Sequence, residues 1–219
     1  MESVMSLRSI VWLIVLLPLV PGVAFAAEPD EPTVLIVGDS LSAGYGLRPG
    51  QGWVSLLERR LDAEGYPHRV VNASISGETT RGALARLPHA LEIHDPDIVV
   101  IELGANDGLR GFPPEVMREN LLKLIGLSHD AGAHVLLLGM HLPVNYGQAY
   151  TERFHQVFVD IAKQHEVPFL PFFLDGVALQ PEMMLDDGIH PNAEAQPKLL
   201  ENIWPSLADM LVAAGKPSE

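Results

Sequence analysis

From Thr33 onward, short and almost wholly apolar runs alternate with longer amphipathic stretches, and this alternation constrains the fold more than any other feature. Thr33–Val37 (TVLIV), Arg69–Asn72 with its neighbours, Asp97–Leu103 (DIVVIEL), His134–Met140 (HVLLLGM) and Val167–Pro171 read as strands. Between them, Trp53–Ala63, Thr79–His89, Pro113–Asp130 and Tyr150–Gln164 carry apolar residues at helical spacing. Pro88 is expected to disturb the second of these helices. Ala193–Ala213 reads as a terminal helix interrupted or kinked by Pro197 and Pro205. Strands that are apolar on both faces and are followed by helices belong to a parallel sheet covered on both sides. The pattern predicts an α/β protein, a three-layer α/β/α sandwich around a five-stranded parallel sheet. Such sheets place functional groups just past the C-terminal ends of their strands. Phe173–Asn192 is the one long irregular stretch, and long irregular stretches often carry function.

The segment before the first strand has a different character. Arg8 is followed by an apolar run from Ile10 to Ala27, which ends in the small-x-small pattern Ala24-Phe25-Ala26. This is the layout of a secretory signal. Residues 1–26 are expected to be removed, leaving residues 27–219 as one exported domain, periplasmic or secreted. An uncleaved membrane anchor is the alternative, but Pro18, Pro21 and Gly22 break the run near the cleavage pattern. The chain has no cysteine, which excludes disulfides, a lipid-modified cysteine, a cysteine nucleophile and a thiolate metal site. Its formal net charge of −14 repels phosphate backbones and anionic membrane surfaces, so nucleic acid is not an expected partner and no stable membrane anchor is expected.

The strand ends are therefore where chemistry is expected. Gly38-Asp39-Ser40 follows the first strand. Ser40 at the start of a helix or turn can cap it; it can also attack a carbonyl while its own N–H receives the developing oxyanion. A phosphate-cradling loop is a third reading, but neither glycine-rich phosphate signature is present. Gly77 follows the second strand, either as a plain turn glycine or as a backbone donor. Asn106 follows the third, either closing an Asx turn or offering a side-chain amide to an oxyanion. In the irregular stretch, His190 can act as general base, and Asp187 can fold back to its other ring nitrogen across Gly188. A metal site or a solvated loop are the bland readings there, and the further ligands a metal would need are not nearby. The four features share one sheet edge, and that conjunction favours a Ser-Asp-His triad with an oxyanion hole.

The stretches GDSLSAGYG, SGETT, GAND and DGIHPN together resemble the SGNH, or GDSL, hydrolases. The resemblance covers nearly the whole chain after residue 26. It maps the four name-giving positions onto Ser40, Gly77, Asn106 and His190 and implies Asp187, three residues before the histidine, as the triad carboxylate. GANDGLRG at 104–111 and LPVNYGQAY at 142–150 are most similar to the exported bacterial arylesterase, thioesterase and lysophospholipase group. The family resemblance implies a flavodoxin-like sheet, no cofactor, no metal, a monomer, and hydrolysis of small acyl esters, thioesters and lysophospholipids. Strand-end geometry and the same likeness put the acyl pocket at Leu109–Phe112 and Leu142–Tyr146, with Leu109, Phe112, Leu142, Pro143 and Tyr146 as candidate substrate contacts. The alternatives are a carbohydrate O-deacetylase of the same superfamily and a non-catalytic lipid- or sugar-binding module.

Overall fold

The computed structural model describes residues 31–213. The proposed signal segment lies outside the described residues. Five strands, β1 (Thr33–Gly38), β2 (Arg69–Asn72), β3 (Ile98–Glu102), β4 (His134–Leu138) and β5 (Phe169–Leu170), form one sheet in the order β2-β1-β3-β4-β5. All neighbouring strands run parallel. The helices are α1 (Ser40–Ala43), α2 (Trp53–Glu64), α3 (Thr80–His94), α4 (Ala105–Leu109), α5 (Pro114–Asp130), α6 (Gln148–His165) and α7 (Gln196–Ala213). Helices α2 and α7 pack together, while α3, α5 and α6 pack in a row, giving the expected three layers.

The central strands are buried throughout, with Val34–Ile36 and Ile98–Ile101 fully enclosed. Their β-branched and leucine side chains find apolar partners on both faces, which is why no polar alternation marks them in the sequence. Strand β5 is only two residues long, shorter than the apolar run predicted, because it pairs on one side alone, with β4.

Prolines explain the other differences from the sequence reading. Helix α3 continues through Pro88 to His94, where the expectation was a disturbance. Pro88 is exposed, so the carbonyl it leaves without an N–H partner can bond to water. Helix α7 likewise runs continuously through the exposed Pro205. It begins at Gln196, later than Ala193, and Pro197 falls in its first turn, where no backbone N–H is needed.

The strand order has one consequence for function. The chain goes from β1 to β2 on one side and then to β3 on the other. The helices therefore diverge above the C-terminal ends of β1 and β3, opening a crevice at that switch point. Asp39-Ser40 leaves β1 there and Gly104-Ala105-Asn106 leaves β3.

Candidate active site

Ser40 is the first residue of α1, a single turn of helix. The helix is capped not by Ser40 but by Asp39, whose Oδ1 accepts the Leu41 N–H at 3.0 Å. The Ser40 hydroxyl is therefore free of local backbone duty. It lies 2.9 Å from Nε2 of His190.

The histidine arrives from 150 residues further along the chain, on a turn pinned at its base. Leu185 N–H donates to the His190 carbonyl at 2.7 Å, Asn192 N–H donates to Met183 O at 2.8 Å, and Met184 bridges Pro191. Gly188 sits at the tip with φ +65°, a conformation that favours glycine. The turn brings Asp187 back onto the ring: Oδ2 is 2.7 Å from His190 Nδ1, while Oδ1 accepts the N–H groups of Ile189 and His190 at 2.9 and 3.0 Å. The His190 backbone N–H, followed by the ring and the Ile189 N–H, holds the Asp187 carboxyl down at about 2. An ionised carboxylate can only accept, so Nδ1 carries the proton and Nε2 is left to accept from the Ser40 hydroxyl. The Tyr45 ring covers the imidazole, with centroids 4.4 Å apart. Beneath the turn, Gln196 accepts the Trp53 N–H at 2.9 Å and donates to Pro191 O, tying the segment to the start of α2.

Asn106 lies in α4, and its amide does not close a local turn. Nδ2 donates to Asp39 Oδ2 at 2.9 Å, linking the end of β3 to the turn that carries Ser40. Gly77 has φ +80°, and its carbonyl accepts from Arg110 Nη2 at 2.7 Å. Its loop is drawn toward β1 by the Ile75 N–H, which donates to Gly38 O at 3.1 Å. Two residues past the glycine's immediate neighbour, Thr80 gives its N–H and hydroxyl to the buried Asp107 carboxylate at 2.9 and 2.6 Å. Asp107 follows Asn106 directly, so the loops after β2 and β3 are fixed to each other.

Sequence reasoning passed over two carboxylates. Asp39 and Glu102 are 1 % and 0 % exposed. Burial, opposed by the Leu41 and Asn106 hydrogen bonds, pushes Asp39 up to about 6. Burial and then the Asp39 charge raise Glu102 well above the usual carboxylate range. A signal for Glu102 existed, since it is the one charged residue inside the apolar run IVVIEL; its meaning required knowing that it lies beside Gly38.

The candidate substrate loops lie side by side. Tyr146 donates its hydroxyl to Leu109 O at 3.1 Å, and Tyr150 donates to the carbonyls of Phe112 and Gly108. Phe112, Pro143 and Tyr146 are exposed, Leu109 is half-buried, and Leu142 is buried against Gly108. A shallow depression at the serine is lined by Leu41, Gly44, Tyr45, Leu47, His190 and Pro191.

Residues 36–196 match the family described as GDSL-like Lipase/Acylhydrolase. The chain belongs to that family. It is 54 % identical over 189 residues to Esterase TesA of Pseudomonas aeruginosa, a match covering 86 % of this chain and 94 % of the relative. It is 47 % identical over 172 residues to Thioesterase 1/protease 1/lysophospholipase L1 of Escherichia coli (strain K12), covering 78 % of this chain and 80 % of the relative. A crystal structure of the psychrotrophic esterase EstA from Pseudoalteromonas sp., inhibited by monoethylphosphonate, superposes with a TM-score of 0.79 at 43 % identity. That superposition covers 82 % of this chain and 98 % of the esterase. This member of the family is a serine ester hydrolase working through a Ser-Asp-His triad.

Proposed function

We propose that the triad of this GDSL-family hydrolase is Ser40, Asp187 and His190, and that the N–H groups of Ser40 and Gly77 with the Asn106 amide form its oxyanion hole. The hydrogen-bonded chain from Ser40 Oγ through His190 to Asp187 carries this reading. Ser40 Oγ attacks the acyl carbonyl and gives its proton to His190 Nε2, while the carbonyl electron pair moves onto oxygen. Collapse expels the leaving alcohol or thiol, which takes that proton, and leaves an acyl-enzyme on Ser40. Water, deprotonated by His190, repeats the sequence and frees the acid. Asp187 keeps the imidazole in the required tautomer and stabilises the imidazolium.

The substrates proposed are small acyl esters, acyl thioesters and lysophospholipids. Support comes from the relatives' names and from the shallow setting of the half-buried Ser40, which selects weakly among acyl and leaving groups. The enzyme is proposed to act as a monomer outside the cytoplasm once residues 1–26 are removed. No helix among the described residues is long and apolar enough to cross a membrane.

Labelling with a fluorophosphonate tests the nucleophile. The wild-type protein is expected to take one label on Ser40, and folded Ser40→Ala to take none and to lose turnover. Initial rates on p-nitrophenyl esters of graded length, acyl-thioesters, lysophospholipids and acetylated sugars test the substrates. Faster turnover of the sugars than of every acyl chain would replace this substrate class with O-deacetylation. Mass spectrometry of the exported protein is expected to find Ala27 at its N-terminus.

A further inference from the structure

Below the nucleophile turn, two carboxylates sit where no cation balances them. Glu102 Oε2 accepts the Ser42 hydroxyl at 2.7 Å and the Asp39 N–H at 3.3 Å, while Oε1 is buried without a partner. Asp39 uses both oxygens as acceptors, Oδ1 for the Leu41 N–H and Oδ2 for the Asn106 amide. The groups facing Asp39 are Glu102 on β3, Asn106 on α4, Ser40 beside it, and His190 on the turn before α7. Those facing Glu102 are Asp39 and Ser42. No lysine or arginine bonds to either carboxylate among the described residues. Two negative charges cannot be held there together, because both are shut away from solvent and neither is bonded to a cation.

We propose that Asp39 and Glu102 form a buried carboxylate pair holding a single proton, kept on Glu102 in the working enzyme, and that ionised Asp39 is the positioning residue for the Asn106 amide. The geometry assigns the charge. Asp39 receives two N–H donors with its two oxygens, which suits the anion, whereas Glu102 has one oxygen with no donor at all. With one amide hydrogen committed to Asp39, the other hydrogen of Asn106 has a fixed direction and is free for the developing oxyanion. When Asp39 takes up a proton, Oδ2 no longer holds the amide and the donor loses its aim. Burial lifts that protonation to about pH 6, within reach of ordinary assay conditions. This inference rests on Asn106 being an oxyanion donor in the reading above.

The test is the pH dependence of kcat and KM in wild type, Asp39→Asn and Glu102→Gln, with fluorophosphonate labelling run alongside. In wild type the acid limb of log kcat/KM against pH is expected to steepen beyond one proton, since Asp39 must be ionised and His190 neutral. Asp39→Asn must turn an NH2 group toward either Leu41 or Asn106. It is expected to lower kcat by ~10–10², less than outright loss of an oxyanion donor, with KM nearly unchanged and a one-proton acid limb. Glu102→Gln copies the neutral acid and is expected to keep wild-type kcat and the wild-type limb. A one-proton limb in wild type overturns the proposal, as does wild-type kcat in Asp39→Asn, or loss of kcat in folded Glu102→Gln. Should Asp39→Asn not fold, the wild-type limb and Glu102→Gln decide alone. Absence of labelling in wild type would instead sink the nucleophile reading, so the two failures are distinguishable.

Discussion

Asp187 holds His190 twice over: one carboxylate oxygen lies 2.7 Å from the ring Nδ1 and the other accepts the histidine's own backbone N–H at 3.0 Å. The side chain and the backbone that carries it are thus fixed by the same group, and rotation of the ring away from Ser40 would have to break a charge-assisted bond. Asp186, next along the chain, is exposed and makes no such contact. Asp187→Asn is expected to cut kcat by up to ~10⁴, the loss typical of a neutralised triad carboxylate. Asp186→Asn should stay close to wild type. Steady-state kinetics of the two variants side by side check this, and a crippled Asp186→Asn would reassign the triad.

Asn106→Ala is expected to lower kcat by ~10²–10³ with little change in KM, because the oxyanion role proposed for its amide operates where charge develops on oxygen. It should have a second effect. The Asn106 hydrogen bond is one of the interactions that lower the Asp39 carboxyl. Its removal raises the Asp39 carboxyl further, but Asp39 then has no amide to aim, so the acid limb of the residual activity should fall back to a single proton. Rates of the variant measured across pH would show both effects, and an unchanged kcat would return Asn106 to a structural role.

Asp39 makes stability depend on pH in a predictable direction. Its folded-state value of about 6 lies above the 3.8 of a freely solvated aspartate, so folding favours the protonated form. That contribution is fully present below the unfolded value and is lost as pH rises through the folded one. The difference corresponds to roughly 3 kcal/mol at most. Urea unfolding of wild type and Asp39→Asn at several pH values should show the wild-type advantage shrinking from about pH 4 to about pH 7. A difference that is constant with pH would count against a buried, titrating Asp39.

Gly38→Ala is expected to destabilise the protein by about 1–3 kcal/mol, the usual cost of overpacking. A Cβ at Gly38 would fall 2.8 Å from Glu102 Oε2 and from the Ser42 side chain. Neither group can withdraw, since one is fully buried and the two are bonded to each other. Thermal unfolding of the variant measures this, and a Tm equal to wild type would show that the strand end has room to relax.

The sequence by itself determined the layers and the five strands, and it singled out the residues proposed for the triad and the oxyanion hole. Continuous apolar runs can only be buried on both faces, and strand ends are where a parallel sheet exposes its chain. Val34–Val37 and Ile98–Ile101 were legible for that reason, and so were Ser40, Asn106, Asp187 and His190 as candidates. The path of helices through Pro88 and Pro205 was not legible, because whether an unpaired carbonyl is tolerated depends on which side meets water. Nor were the roles of Asp39 and Glu102. Asp39 reads as one polar residue in a turn, and Glu102 as an interruption in a strand. Only pairing β1 with β3, which sets Gly38 beside Glu102, brings the two carboxylates under Ser40. The donors that the fold supplies to both oxygens of Asp39, and to only one of Glu102, then favour the charge on Asp39.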